Sequence, residues 1–217
     1  MTLSAETKFL IGTGLITIIL ILGGIFFFSM KNKQQSTSTQ ADMSILLSNT
    51  RHSQGNSNAS VKIVEFADYE CPACGAASPI TKKVIEKNKD KVYFVFRHYP
   101  IPSHRNSKTA ALASEAADEQ GKFWEMHDLI FENTTDWVTS DNAKKVFEGY
   151  AEKLGLDLEK FKQDFDKGGG VINNDYTDGN KVGVDATPTF FINGEKHTGL
   201  ITEDKFQDLI DKASTSK

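Results

Sequence analysis

The sequence predicts an α/β domain in which a pair of cysteines lies where a strand gives way to a helix. Residues 61–67 are rich in β-branched and aromatic side chains, as in a strand, and the apolar stripe along residues 75–88 is typical of a helix. Residues 91–97 are apolar on both faces, which indicates a central strand. A final strand pair is predicted around Asn193-Gly194, a dipeptide that favours the tight turn of a hairpin.

The chain opens with a hydrophobic segment. Residues 9–28 carry no charge and are dominated by Ile, Leu and Phe. Twenty helical residues span about 30 Å, the thickness of the hydrocarbon core of a bilayer. No small-residue cleavage site or lipobox cysteine follows, which favours an uncleaved signal anchor over a removable signal peptide. We therefore expect residues 1–30 to form a cytoplasmic tip and one transmembrane helix.

Residues 31–54 are predicted to be a polar tether and a lead-in to the domain. The run at 34–40 consists of Gln, Ser and Thr, and such a run cannot bury enough apolar surface to order itself. Residues 43–47 form a short apolar patch, and residues 53–60 are rich in turn formers. The remainder, 55–217, has the right size for one domain with its own core.

A helical region is expected after the second strand. Residues 107–120 are rich in alanine, and the segments 122–132, 141–154 and 156–165 each carry apolar side chains at helical spacing. We interpret their aromatic residues as core packing. Gly155 is a plausible C-cap. The glycines at 168–170 predict a flexible break, which is followed by a weak helix at 173–182, strands at 189–192 and 195–198, and an amphipathic helix at 203–213.

The charge of the chain argues against nucleic-acid binding. The formal net charge is −4, and residues 1–33 contain three lysines and one glutamate, so the remainder carries about −6. Nucleic-acid binders usually present a basic surface. This acidic balance is too modest to name a partner.

Cys71 and Cys74 are the two cysteines of the chain. The first N–H groups of a helix have no intrahelical partner, and the helix dipole places partial positive charge there, so a thiolate on Cys71 is stabilised. Pro72 suits the first helical position, and Cys74 lies one turn deeper. The spacing therefore predicts that Cys71 is a nucleophile and that Cys74 is the thiol that resolves its adducts.

An inert disulfide and half of a zinc site are the alternatives for this pair. Structural zinc normally takes four protein ligands, commonly two cysteine pairs or one pair with closely spaced histidines. A second CxxC is absent, and His98, His104, His127 and His197 show no HxxxH-type spacing. We favour redox chemistry and predict neither a metal nor a cofactor. A tethered module that holds a metal through Cys71 and Cys74 stays as an alternative from a different class.

Three segments are similar to the DsbA-type thiol:disulfide oxidoreductases, most closely to the membrane-tethered bacterial members. They are EFADYECPAC at 65–74, GKFW at 121–124 and GVDATPTFFING at 183–194. The resemblance covers about residues 55–213. It implies a thioredoxin fold with a helical insertion at about 107–167, preceded here by the transmembrane helix.

The resemblance assigns roles to the residues that match. Glu65 matches a buried acid, which would have a raised pKa and accept a proton from Cys74; a surface glutamate on a strand edge is the alternative. Thr187 and Pro188 match the pair with a cis-proline that faces the active site and contacts substrate; a trans proline entering a strand is the alternative.

Other matching positions have supporting roles. Pro72 and Ala73 lie between the cysteines, and Ala73 replaces the histidine of the most oxidising relatives, so extreme oxidising strength is not expected. Pro79 matches a proline that kinks the helix. His98 and His104 are expected to have surface or packing roles.

The resemblance implies an extracytoplasmic enzyme that introduces disulfides into exported proteins by thiol exchange. Its implied partners are exported protein thiols and a membrane quinone-linked reoxidase, DsbB-like or vitamin-K-epoxide-reductase-like. The charges that flank the hydrophobic segment do not decide the orientation, but a protein oxidant belongs outside the reducing cytosol. The segment before the first strand is too short for an isomerase dimerisation domain, which favours a monomer. A reductase or isomerase of the same fold is the alternative.

Overall fold

A computed structural model describes residues 40–215 of the chain. The predicted anchor at 9–28 and the run at 34–39 lie outside the described residues. Within residues 40–215, no helix is both long enough and apolar enough to cross a membrane.

The described residues form five strands and nine helices. In chain order these are α1 (Met43–Leu46), β1 (His52–Gly55), β2 (Val61–Ala67), α2 (Pro72–Lys87), β3 (Val92–His98), α3 (Ser107–Asp118), α4 (Phe123–Glu132), α5 (Thr134–Trp137), α6 (Ala143–Lys153), α7 (Leu158–Phe165), α8 (Gly169–Lys181), β4 (Thr189–Ile192), β5 (Glu195–Thr198) and α9 (Glu203–Thr215). The helices predicted at 107–120, 122–132, 141–154, 156–165 and 203–213 are confirmed to within two residues at each end.

The strands form one sheet in the order β1-β3-β2-β4-β5. Strands β2 and β3 are parallel, and the other neighbouring pairs are antiparallel. Because parallel strands need a crossover, α2 connects β2 to β3. Helices α3 to α8 lie between β3 and β4 in the chain. Helices α3 to α7 are the predicted helical insertion, whereas α8 packs against the other face of the sheet through Tyr176.

Alternation along β2 decides which residues face the cysteines. Successive side chains of a strand point to opposite faces. Ile63 and Ala67 belong to the large apolar cluster that also holds Cys74, whereas Phe66 belongs to a smaller cluster on the other face. Glu65 has the parity of Ile63 and Ala67 and so faces the cysteine side of the sheet.

The glycines at 168–170 are not a flexible break, so this prediction was wrong. Helix α8 begins at Gly169. A Cβ atom added to Gly168 would lie 2.7 Å from the Cβ of Glu115 on α3. Because glycine has no side chain, Gly168 allows the start of α8 to pack closely against α3, and this explains the glycine better than chain flexibility does.

The lead-in at 53–60 is more ordered than its turn-rich composition predicts. His52–Gly55 forms β1, which pairs with β3 at one end of the described sheet. The apolar patch at 43–47 folds as α1, and Asp42 caps this helix by accepting a 2.8 Å hydrogen bond from the N–H of Ser44. Both elements depend on partners that are distant in the sequence.

The guanidinium group of Arg97 is buried on the face of the sheet opposite the cysteines, the face that also carries Phe66. Arg97 on β3 is 1% exposed. It donates to Asp175 Oδ1 at 2.5 Å and to Asp178 Oδ2 at 2.8 Å on α8, and to the carbonyl oxygens of Leu46 and Ser48 at 3.1 Å each. One side chain thus joins β3, α8 and the end of α1.

Replacing Arg97 by alanine is expected to destabilise the protein by about 3–5 kcal/mol, because the buried Asp175 carboxylate loses its cationic partner and Asp178 is left with Lys181. Arg105→Ala is the matched control, since Arg105 pairs with Asp141 at the exposed surface and such pairs contribute at most about 1 kcal/mol. Urea unfolding of both variants measures the difference. Equal losses of stability in the two variants would contradict this account.

Candidate active site

Cys71 occupies the N-cap of α2. Its backbone is extended, with φ −74° and ψ 120°, and Pro72 takes the first helical position as predicted. The carbonyl oxygen of Cys71 accepts a hydrogen bond of 3.1 Å from the N–H of Gly75. The Cys71 side chain therefore lies beside the free N–H groups of the first helical turn.

Several donors converge on the Cys71 sulfur. The Cys74 thiol donates to it, burial opposes the charge, and the N–H groups of Cys74 and Ala73 add further hydrogen bonds. Together they lower the pKa of Cys71 to about 5. Cys71 is thus almost entirely thiolate at pH 7 in the reduced protein.

Cys74 has the opposite environment. Its side chain is fully buried, and its Sγ accepts a hydrogen bond of 3.5 Å from the N–H of Asp68. Burial raises the pKa of Cys74 far above the usual range, and the hydrogen bond to Cys71 and the negative charge there add to the effect. Two sulfurs within one helical turn therefore differ in charge, one an anion and the other a neutral thiol.

Glu65 lies beneath the cysteine helix and is 4% exposed. Burial raises the pKa of its carboxyl group to about 8, so the group is mostly protonated at pH 7. Glu65 also lines a cavity of about 50 Å³ together with Gln54, Thr81 and Lys82. This volume is sufficient for at least one water molecule, and the Lys82 side chain is 51% exposed. The carboxyl group therefore has a polar route toward solvent.

The segment before β4 packs against the cysteines. The peptide bond between Thr187 and Pro188 is cis, as the resemblance implied. In the thiol form, Cys71 Sγ donates to the carbonyl oxygen of Thr187 at 3.3 Å. The structure therefore brings Cys71, Cys74, Thr187 and Pro188 to one site.

A groove of about 600 Å³ adjoins Cys71. Cys71 and Pro72 line one side, and Phe131 and Val138 line the other. Phe131 and Val138 belong to the helical insertion, where the sequence predicted core packing for the aromatics. Phe131 is 8% exposed and belongs to the large apolar cluster, so it is a core residue, as predicted, that also reaches the groove.

Asp68 fixes the loop that carries Cys71, and sequence reasoning missed it. Its carboxylate accepts hydrogen bonds from the N–H of Glu70 at 2.8 Å, from Ser107 Oγ at 2.5 Å, from the N–H of Ile101 at 2.8 Å and from His104 Nδ1 at 2.7 Å. The residue is 1% exposed. The sequence signal for a role of Asp68 is its position within residues 65–74, one of the segments that resemble the family. The packing or surface role expected for His104 is thus a contact that supports the active-site loop.

The profile of a protein family described as Thioredoxin matches residues 47–212 of this chain. Solved structures agree with this match. A thioredoxin-like oxidoreductase from Silicibacter pomeroyi DSS-3 is 26% identical with a TM-score of 0.70, over 82% of this chain and 100% of that one. BdbD from Bacillus subtilis in its oxidised form is 26% identical with a TM-score of 0.68, over 82% and 97%. Alpha-DsbA1 from Wolbachia pipientis is 25% identical with a TM-score of 0.69, over 77% and 92%.

Curated proteins that this chain matches in sequence are named as Na(+)/H(+) antiporters, not as oxidoreductases. The chain is 40% identical over 151 residues to Na(+)/H(+) antiporter NhaA 3 from Salinispora tropica, which aligns 68% of this chain with 22% of that protein. It is 38% identical over 153 residues to Na(+)/H(+) antiporter NhaA 1 from a Mycobacterium species (strain KMS), with 24% of that protein aligned. The chain thus spans about a quarter or less of the length of these relatives, and their name describes the longer proteins.

Alkylation of the reduced protein with iodoacetamide is expected to follow the ionisation of Cys71. Since the pKa of Cys71 is about 5, the rate should rise between pH 4 and 6 and level off by about pH 7. Cys71→Ser is the control, because buried Cys74 should then react slowly throughout this range. A rate that instead rises around pH 8.5, as for a free thiol, would contradict the assigned environment.

Proposed function

We propose that this chain, which belongs to the thioredoxin family and within it to the DsbA-type thiol:disulfide oxidoreductases, introduces disulfides into exported proteins. The unequal cysteine pair is the observation that carries the proposal. A Cys71 thiolate beside a neutral, buried Cys74 stabilises the reduced form of the enzyme, and a stable reduced form makes the disulfide form an oxidant.

The first chemical step is attack of a substrate thiolate on the Cys71–Cys74 disulfide. Cys71 is 9% exposed, at the groove, whereas Cys74 is fully buried. A substrate thiolate therefore reaches the Cys71 sulfur. The bond between Cys71 and Cys74 breaks, and the substrate is joined to Cys71 in a mixed disulfide. The Cys74 sulfur leaves with the electron pair and takes up a proton, as its raised pKa requires.

The second step releases the oxidised product. A second substrate thiolate attacks the substrate sulfur of the mixed disulfide, the new substrate disulfide forms, and Cys71 leaves as a thiolate. A leaving thiol with a low pKa departs faster. The substrate has lost two electrons, and the enzyme holds them as the Cys71 thiolate and the Cys74 thiol.

Glu65 supplies the proton that Cys74 needs. At pH 7 the carboxyl group is mostly protonated because its pKa is about 8. When it is ionised, its negative charge raises the pKa of Cys74. The carboxyl group donates when Cys74 leaves and accepts when Cys74 attacks to reform the disulfide. The cavity beside Lys82 exchanges this proton with solvent.

The groove and the 187–188 segment receive the substrate. Phe131 and Val138 offer an apolar wall, which suits an extended, partly unfolded polypeptide. The backbone of Thr187 lies within 3.3 Å of the Cys71 sulfur, so an extended segment joined to Cys71 would pass this backbone and pair with it.

The location and the partners complete the proposal. The uncharged segment at 9–28 supports a single-pass anchor in the cell membrane, and oxidant chemistry supports an extracytoplasmic catalytic domain. Reoxidation requires an electron acceptor, and a membrane quinone-linked reoxidase of the DsbB-like or vitamin-K-epoxide-reductase-like class fits an anchored enzyme. We propose a monomer.

Equilibration with glutathione redox buffers tests the direction of the reaction. Thioredoxin has a thiolate pKa near 7 and a potential of about −270 mV. At pH 7, a Cys71 pKa of about 5 stabilises the reduced form about 50-fold more than a thiolate pKa of about 7 does in thioredoxin. This difference makes the reduction potential less negative by about 50 mV. We therefore expect about −220 mV or a less negative value. A potential of about −270 mV or below would contradict an oxidase and indicate a reductase.

Glu65→Gln is expected to slow substrate oxidation by about 100-fold at pH 7, the low end of general acid catalysis. The ratio of the wild-type rate to the variant rate should fall as pH rises through about 8, because Glu65 then loses its proton. Stopped-flow oxidation of a dithiol peptide measures both rates. Glu152→Gln, on an exposed position of α6, is the control.

Unfolding measures whether Glu65 has the raised pKa that the acid role requires. Glu65 ionises near pH 4.5 in the unfolded chain and near pH 8 in the folded one, so the wild-type protein should lose about 1.4 kcal/mol of stability per pH unit between these values, relative to Glu65→Gln. Parallel stability profiles for the two proteins would show that the carboxyl group titrates normally.

A further inference from the structure

A second cluster of buried polar side chains contains neither cysteine. His52 begins β1 and His98 ends β3. The antiparallel register pairs His52 with Phe96, so His98, two residues further on, lies on the same face of the sheet. Glu115 on α3 meets the two rings there. All three side chains are at most 2% exposed.

The three side chains converge on one oxygen atom. Glu115 Oε1 accepts from His52 Nε2 at 2.5 Å and from His98 Nε2 at 2.8 Å. The three candidate ligand atoms, one from each residue, lie within 4.8 Å of one another. Ligand atoms of a tetrahedral zinc ion with bonds of about 2.0–2.1 Å are about 3.3 Å apart, so small side-chain movements suffice to place an ion between them.

We propose that His52, His98 and Glu115 bind a divalent transition-metal ion, for which zinc is the best match. Two imidazole nitrogens and one carboxylate oxygen form a donor set that zinc accepts, and the fourth tetrahedral position is left for water. Imidazole ligands exclude magnesium and calcium, which prefer oxygen. Neither cysteine takes part, so this site is separate from the thiol chemistry.

An unpartnered nitrogen is an independent sign of an ion. His52 Nδ1 is buried and has no hydrogen-bond partner among the described residues. While Nε2 donates its proton to Glu115, a neutral ring leaves Nδ1 as a buried acceptor without a donor, and this costs stability. An ion on Nε2 would move the proton to Nδ1. Nδ1 lies 3.6 Å from Asp118 Oδ1, which can then accept it.

The surroundings of His52 match a metal site in a second respect. A carboxylate that accepts from the far nitrogen of a ligating histidine fixes its tautomer and orientation. Asp118 has this position, and Arg51 Nε holds Asp118 Oδ2 at 2.7 Å. Phe123 stacks on the His52 ring with centroids 3.5 Å apart and planes within 4°, so the ring is held in a fixed plane.

Binding would cross-link three elements. His52 lies on a strand at one end of the described sheet, His98 on its neighbour, and Glu115 on the first helix of the insertion. An ion that binds the folded chain better than the unfolded chain stabilises the fold. The site would therefore fasten β1 and α3 to the body of the sheet.

Titration of the full-length, tag-free protein with Co²⁺ and then Zn²⁺ tests the proposal. The Cys71–Cys74 pair is first oxidised to its disulfide, so no thiolate is present to bind metal. Calorimetry is expected to give one ion per chain and a raised melting temperature. Co²⁺ should show the intense d–d absorption of a tetrahedral site without thiolate charge transfer. Absence of stoichiometric binding would overturn the proposal.

Variants assign the ligands. His52→Asn and Glu115→Gln are expected to weaken binding by at least about 100-fold, and Asp118→Asn by about 10–100-fold, as for outer partners of metal-binding histidines. His197→Asn on β5 is the matched control and should bind as the wild type does. A variant at His52 that binds with unchanged affinity would overturn the assignment.

X-ray absorption of the zinc-loaded wild-type protein decides the question independently of variant folding. Two imidazoles and oxygen ligands at about 2.0–2.1 Å are expected, and a spectrum without imidazole scattering would overturn the proposal. Because the protein is oxidised throughout, a negative result leaves the proposed thiol chemistry untouched.

Discussion

The site depends on a difference in solvation between two sulfurs that are three residues apart. Cys71 sits just outside the first helical turn, where the Cys74 thiol and the first N–H groups of the helix donate to it. Cys74 is one turn inside, without exposure. A thiolate is favourable at the first position and costly at the second. The helix N-terminus therefore creates one nucleophile and one protected partner from identical side chains.

The rest of the fold keeps this helix end in place. Strands β2 and β3 are parallel, so a crossover must connect them, and α2 is that crossover. Cys71, at the N-cap of α2, therefore lies just beyond the end of β2. The buried carboxylate of Asp68 then ties the connecting loop to Ser107 at the start of α3 and to Ile101 in the loop after β3. The insertion contributes the outer wall of the groove through Phe131 and Val138.

Burial of Glu65 has a cost that its position explains. Burial raises the pKa of the Glu65 carboxyl group to about 8, so ionising this group in the folded protein costs free energy. An apolar residue under the cysteine helix would avoid this cost. Its parity along β2 places it on the face that holds Cys74 rather than on the opposite face with Phe66. A single-residue shift of register would remove it from the site.

The sequence by itself determined the order of strand, cysteine pair and helix, and the helices of the insertion, because alternation and helical spacing are local signals. It also singled out Cys71 and Cys74 by their position at the start of a helix, whereas Glu65, Thr187 and Pro188 are predicted only through resemblance to a known family. Only the tertiary structure decided that Asp68 fixes the loop, that Arg97 joins α1 and α8, that the glycine at 168 permits helix contact, and that His52, His98 and Glu115 meet. Residues 52, 98 and 115 share no local period. They come together because strand pairing and helix packing join distant segments, which spacing along the chain does not encode.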